Sequence, residues 1–305
     1  MSLSFEFDEI NRRAAADPRG FLAECDAQLY TRLAMATARI AERSAESPIV
    51  LLAGPSGSGK TTTANKLAEG LRMIGIGAHV ISMDDYYLTV TEETHKRDEN
   101  GNLDYETPDI LDLPLMRAHF KELEKGREVP VPRFDFTRQA RSETTHPLRL
   151  RRGEVAVFEG IHALNPALLD GGVHATRVYV SARSNVRRDG SIYFKGTWLR
   201  LTRRTIRDEN FRGASAALTF SLWAGVRRGE KKYISPYKGL ADIIIDTALN
   251  YEPCLLRDTA LPLLRGVPDV ERAAEIREIA PKLESFTPLP LDYLSQKSLL
   301  REFVG

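Results

Sequence analysis

Cysteine is nearly absent from this 305-residue chain: Cys25 and Cys254 are the only two, far apart and without metal-type spacing. That leaves no disulfide framework or cysteine-based metal knuckle, and a reducing cytoplasm is the expected setting. No apolar run approaches the ~18 residues of a membrane span. The opening residues, Met1 to Asn11, are acidic and mixed, without the apolar core of a signal peptide. An excess of charge of one sign is lacking as well: 43 basic residues stand against 42 acidic ones, for a net charge of +1. That balance argues against wholesale electrostatic binding to nucleic acid or to a membrane. Internal repeats and low-complexity tracts are also missing. What is present suffices for a core: 42% of residues are hydrophobic, and the length is within reach of one elaborated α/β domain.

Against this plain background one stretch stands out, Gly54-Pro55-Ser56-Gly57-Ser58-Gly59-Lys60-Thr61. It fits the P-loop pattern, two glycines five apart followed by Lys and Thr. A Gly-rich turn of this kind points successive amides inward around phosphate oxygens, and the helix that follows adds the positive end of its dipole. Gly54, Ser56, Gly57, Ser58, Gly59, Lys60, Thr61 and Thr62 are therefore the expected nucleotide-binding residues. Lys60 would reach the β- and γ-phosphates of ATP, and Thr61 would ligate Mg²⁺. The flanks agree. Ile49-Val50-Leu51-Leu52-Ala53 reads as a buried parallel strand, and Ala64, Leu67, Ala68 and Leu71 fall on one helical face.

Residues 1–47 read as a helical extension packed on the core: Phe21, Leu22, Cys25, Leu29, Leu33, Ala36 and Ile40 recur at helical spacing behind an Asp17-Pro18 cap. From residue 48 strands alternate with helices, the pattern of a parallel sheet with crossover helices. The expected strands are Ile49–Ala53, Ala78–Ser82, Val155–Glu159, 177–181 and 242–246. The fold expected is thus an α/β P-loop NTPase with a five-stranded parallel sheet, its main domain spanning 48–305. Within it, residues 88–152 are a polar, proline-bearing insertion with one helix at 113–125, long enough to be an acceptor-binding region. Residues 183–235 form an Arg-rich, helical lid region, and residues 250–305 a helical tail broken by Pro288 and Pro290.

Two carboxylates follow the second strand in Ser82-Met83-Asp84-Asp85-Tyr86-Tyr87. Ligands of open α/β sheets sit at the carboxyl ends of strands, where Asp84 could accept the proton of an attacking hydroxyl; the plainer alternative is a helix cap, the kind of work expected of Asp85. Val155-Ala156-Val157-Phe158-Glu159 ends another strand in a carboxylate suited to magnesium. Arg200, Arg203, Arg204 and Arg207 sit at helical spacings that put at least two on one face, where guanidinium groups could meet a transferring phosphoryl group or pair with Asp208 and Glu209. His95 and His162 read as loop or capping residues, Trp198 and Trp223 as packing, and Tyr86 and Tyr87 as lining the acceptor pocket or lying under it. An Asn-Lys-x-Asp guanine-reading motif is absent, which argues against a GTPase switch. RNA binding through the basic stretches 138–152 and 183–212 lacks interleaved aromatics.

Taken together these motifs resemble the uridine kinase/phosphoribulokinase group of P-loop kinases, and the bacterial uridine-kinase-like branch in particular. The likeness rests on the P-loop, Ser82 to Tyr87, Asp98-Glu99-Asn100-Gly101 with Asp104-Tyr105-Glu106, Pro132-Arg133-Phe134-Asp135-Phe136 and Phe158-Glu159-Gly160-Ile161-His162-Ala163-Leu164. It continues through the Arg-rich helix, Gly229-Glu230-Lys231-Lys232-Tyr233-Ile234-Ser235-Pro236 and the closing Ser298-Leu299-Leu300-Arg301-Glu302-Phe303-Val304-Gly305. The resemblance implies an ATP- and Mg²⁺-dependent kinase of a small-molecule hydroxyl. Asp84, Lys60, Arg203 and Arg207 would be catalytic. Tyr87, Asp104, Phe134, Gln139, Arg141 and Arg200 would bind the acceptor, and Thr61 and Glu159 the metal. Relatives read the pyrimidine edge with a Tyr and a His where this chain has Phe134 and Gln139. A uridine- or cytidine-like nucleoside is the acceptor implied by resemblance; a sugar phosphate, a polyol or a regulator without an acceptor stays open, as does homo-oligomerisation.

Overall fold

The computed structural model describes residues 4–97, 101, 103–170, 172–268 and 273–305. The chain opens with a short strand, β1 (Ser4–Glu6), and two helices, α1 (Phe7–Ala16) and α2 (Pro18–Arg43). Asp17 caps α2 as its sequence suggests, its carboxylate accepting from Gly20 N at 3.0 Å with Pro18 in the first turn. Then come β2 (Ile49–Ala53), α3 (Lys60–Met73), β3 (Ala78–Ser82) and α4 (Leu113–Glu124). Two nested hairpins follow, formed by β4 (Val129–Val131), β5 (Phe134–Asp135), β6 (Ala140–Arg141) and β7 (His146–Leu148). The rest comprises β8 (Val155–Glu159), β9 (Thr176–Ser181), β10 (Asn185–Arg188), β11 (Ser191–Phe194), α5 (Gly196–Phe211), α6 (Ala216–Gly229), β12 (Ile243–Asp246), α7 (Glu252–Arg265), α8 (Ala273–Glu284) and α9 (Arg301–Val304).

Five strands form one parallel sheet in the order β12-β9-β2-β8-β3. Alternate residues feed its two faces, as strand geometry requires. Val50, Leu52, Val155 and Val157 point into one buried cluster with α2, α3, α5 and α7. Ile49, Leu51, Ala156 and Phe158 point into the other, with α4 and the β4–β7 hairpin. Because the strands are parallel, their carboxyl ends lie at one edge, and that edge carries the residues after β2, β3 and β8.

The structure differs from the expectation in three places, the first being the insertion, where β4–β7 and β5–β6 form hairpins besides the one expected helix. The first residues of the extension are not helical: β1 pairs parallel with β10. A three-residue strand carries too little periodicity to be read. The Arg-rich region also begins with a hairpin, β10–β11, turned at Asp189 (φ 50°) and Gly190 (φ 73°). An Asp-Gly pair with left-handed backbone is the usual sign of a tight hairpin.

Candidate active site

Gly57 and Gly59 take φ values of 73° and 79°, the region that favours glycine. The loop is pressed between two backbones. A Cβ on Gly54 would lie 2.1 Å from the Val180 carbonyl oxygen, and one on Gly57 2.5 Å from that of Arg200. Gly59 then caps α3, whose first turn presents Lys60, Thr61 and Thr62. The Thr61 hydroxyl donates to Glu159 Oε1 at 2.8 Å. These are hard oxygen donors suited to a divalent cation that keeps water and phosphate in most of its shell. Among the described residues no group of three or more His, Cys, Asp or Glu side chains could close a metal cage, so such an ion fits here only together with a ligand that brings oxygens of its own.

Residues 56–61 line a cavity of ≈ 330 Å³ together with Asp84, Tyr87, Glu106, Phe134, Gln139, Glu159, Arg204, Arg207, Arg212 and Glu302. Asp84 need not cap its turn, because Ser82 Oγ accepts from its N–H at 3.2 Å. Its carboxylate meets the Tyr87 hydroxyl instead, and burial pushes its pKa up. Burial likewise raises Glu159 and lowers Lys60, opposed by their mutual attraction. Asp85 does other work: its carboxylate accepts from Phe134 N at 3.1 Å and ties the β5–β6 hairpin to the site.

Beyond Asp84 the cavity turns apolar and aromatic. Tyr87 and Phe134 meet edge to face at 5.7 Å, Phe134 and Phe136 at 5.2 Å. Val90, Ile110 and Ile161 complete this half with the buried His95, and Gln139 enters it from the hairpin tip. His162 is also buried, which holds its pKa down to about 4. Tyr86 lies beneath, its hydroxyl on His119 Nδ1 at 2.9 Å, and Trp198 and Trp223 are buried packing under Lys195 and Arg200.

Six residues expected in the site do not line it. Asp104 accepts from Glu106 N at 2.9 Å, an Asx turn that spends its carboxylate locally. The acid that lines the cavity is Glu106, two residues on. Burial is the main cause that pushes it up to about 7, and Gly229 makes room for it, since a Cβ there would lie 2.3 Å from Glu106 Cβ. Arg141 is a strut, bound to Asp112 at 2.8 Å and to the carbonyls of Tyr86 and Tyr87 at 2.9 and 3.1 Å. Arg200 is buried against Glu230 at 2.9 Å, with its other nitrogen on Ser56 O. Arg203 is fully buried, paired with Glu252 at 2.7 and 2.5 Å and bound to the Gly57 carbonyl. A helix with arginines at these spacings turns two faces to its surroundings: Arg200 and Arg203 hold the loop from behind, while Arg204 and Arg207 face the cavity. Arg204 donates to Ser56 Oγ at 2.9 Å and Arg207 pairs with Asp208 at 3.0 Å. Arg212 lines the same wall, its pKa lowered by burial and by Arg207. Gly54 and Thr62 are also outside the cavity lining, the first under Val180, the second covered by Glu302. Asp98, Glu99 and Asn100 lie outside the described residues.

A phosphate cradle after the central strand β2, with carboxylates at the ends of β8 and β3, the next two strands on one side of it, defines a P-loop phosphotransferase. The chain matches the Phosphoribulokinase / Uridine kinase family over residues 49–251. It is 31% identical to a uridine kinase of Deinococcus deserti, over 68% of this chain and 91% of that protein. It is also 31% identical to a uridine kinase of Staphylococcus haemolyticus, over 66% and 88%. A solved structure described as a possible uridine kinase from Bacillus stearothermophilus aligns with a TM-score of 0.47 at 18% identity, over 72% of this chain and 100% of that one. The chain belongs to the Phosphoribulokinase / Uridine kinase family and is a kinase of small molecules. Among the described residues no helix is long and apolar enough to cross a membrane.

Proposed function

We propose that the protein transfers the γ-phosphate of Mg-ATP to a hydroxyl of a nucleoside. The observation that carries this reading is the position of Asp84: it faces one cavity with Lys60 on the phosphate side and Tyr87 and Phe134 on the aromatic side. Lys60, Arg204, Arg207 and Arg212 bind phosphate oxygens and balance the charge that spreads over them during transfer. Thr61 and Glu159 would hold a magnesium ion, which would supply further neutralisation of the phosphates. Asp84 takes the proton of the acceptor hydroxyl as that oxygen attacks the γ-phosphorus and ADP leaves. Its raised pKa makes it a better base than a solvent-exposed aspartate. Glu106 accepts from the acceptor's other hydroxyls, in the place assigned to Asp104 by resemblance.

The aromatic wall favours a ring that can stack over a bare polyol. Phe134 has no hydroxyl for a base edge, and Gln139 offers both a donor and an acceptor, so discrimination among bases is weak. The test is to incubate the protein with Mg-ATP and a panel of nucleosides, sugars, sugar phosphates and polyols, and to look for phosphorylated products by mass. Products from several nucleosides are expected. A product from a sugar phosphate or polyol alone would replace the acceptor, and ATP hydrolysis without any product would replace the kinase reading by a regulator.

A further inference from the structure

The last helix of the chain, α9, places a carboxylate on the P-loop helix. Glu302 Oε2 accepts from both the N–H and the hydroxyl of Thr62, at 3.3 and 2.6 Å, and its Oε1 lies 3.8 Å from Arg207 Nη1. Thr62 is in the first turn of α3, where amides have no partner within the helix. An anion is stabilised there by those free donors and by the helix dipole. Glu302 also feels the Lys60 ammonium. Amide, hydroxyl, guanidinium and ammonium together are the donor set for a phosphate, and here a carboxylate uses it.

The segment that delivers Glu302 is firmly held. Leu299 packs where a Cβ on Gly59 would lie 2.9 Å from its Cδ2. Leu300 and Phe303 are fully buried, and the Phe303 ring lies 5.2 and 5.9 Å from the guanidinium carbons of Arg203 and Arg207. Glu302 itself is 17% exposed and lines the cavity. The backbone is fixed, while the carboxylate can turn into the cavity about its own side-chain bonds.

We propose that Glu302 is a placeholder for a nucleotide phosphate. It occupies the Thr62 donors and lies against Arg207 on the side away from Asp208, and a polyphosphate must displace it to bind. The inference rests on the reading of residues 54–61 as a nucleotide site and adds a selection step to it. A ligand with no phosphate offers no replacement anion and leaves the carboxylate in place. A di- or triphosphate exchanges one anion for another and releases Arg207 toward the phosphates.

The test compares ADP and adenosine binding by titration calorimetry for the full chain, Glu302→Gln and Glu302→Asp. Removing the competing charge in Glu302→Gln is expected to tighten ADP about tenfold, the size of one charge-assisted hydrogen bond, and to leave adenosine affinity unchanged. The shorter Glu302→Asp, drawn back from Thr62, moves the same way by less and serves where the first variant does not fold. Unchanged or weaker ADP binding in the variants, with normal binding in the parent, would overturn the placeholder and make Glu302 a support of the loop. A parent protein that binds neither ADP nor ATP would fail the nucleotide reading itself, a distinct result.

Discussion

Asp84 and Glu106 are two acids on one cavity, both pushed up by burial, yet their neighbours separate their tasks. Asp84 is held by Tyr87 and drawn by Lys60, at the border of the phosphate half. Glu106 sits among Arg204, Asp104, Lys60 and Glu230. Asp84→Asn is therefore expected to leave ADP affinity intact and lower kcat by about 10²–10⁴-fold, the usual worth of a general base. Glu106→Gln should instead raise the acceptor KM with a small change in kcat; steady-state kinetics with the accepted substrate separates the two. The pH dependence follows from Glu106, at about 7 against an ordinary 4.5. Its hydroxyl-accepting form fills only as pH passes 7, so the acceptor KM should fall between pH 6 and 8 in the parent and stay flat in Glu106→Gln. For stability the sign runs the other way. The folded state holds this proton more tightly than the unfolded chain, so the contribution is complete below pH 4.5 and is lost as pH rises through 7. Glu106→Gln should be more stable than the parent by about 3 kcal/mol at pH 8 and equal to it at pH 4, measured by urea unfolding.

α5 shows what one helix does with a cluster of arginines. Arg203 and Glu252 are both fully buried, and removing one partner leaves the other charge without compensation, at a cost of about 3–5 kcal/mol. Arg203→Ala should show that loss in denaturant unfolding. Replacing both, as Arg203→Met with Glu252→Leu, should recover most of the stability. It would not restore the hydrogen bond to the Gly57 carbonyl, so ADP should still bind more weakly than to the parent. Recovery of both would mean that the pair serves stability alone. The spacing of Arg200, Arg203, Arg204 and Arg207 was legible in the sequence, but their division into two faces was not. Glu230 and Glu252, the acids that claim Arg200 and Arg203, lie 30 and 49 residues further along the chain, and no helical periodicity reports a partner at that range. Glu106 is hidden for a local reason: Asp104 looks equally exposed in sequence, and only the Asx turn shows which acid lines the cavity. Glu302 belongs to the closing Ser298–Gly305 motif, yet nothing in its sequence neighbours connects it to Thr62, 240 residues away. The five strands of the parallel sheet, by contrast, are readable almost to the residue, since fully buried parallel strands write themselves as uninterrupted apolar runs such as Ile49 to Ala53.

At the scale of the whole molecule, both ends of the chain brace the site from outside the sheet. α2 lays Phe21, Leu22, Cys25, Leu29, Leu33, Ala36 and Ile40 into the same buried cluster as Leu67 and Leu71 of α3 and Val50 and Val178 of the sheet. The approach is close at Gly70, where a Cβ would lie 2.9 Å from Thr37 Oγ1. The ends also hold each other: Tyr30 donates to the Lys297 carbonyl at 2.7 Å, Asn11 accepts from Thr287 N at 2.7 Å, and Tyr251 donates to Asp26 at 2.7 Å. An independent domain would be removable. Here, deleting residues 1–47 would expose α3 and strip eleven buried side chains from the cluster. At about 1.5–3 kcal/mol for each large one, the loss is comparable to the whole stability of an ordinary domain, about 5–15 kcal/mol. The truncated chain 48–305 is therefore expected to lack a cooperative thermal transition and to be cut rapidly by protease within α3, even though it retains every residue that lines the cavity. A truncated chain that melts cooperatively and binds ADP like the parent would show that the extension is a detachable domain, and that α3 holds its phosphate end through the sheet and the C-terminal segment alone.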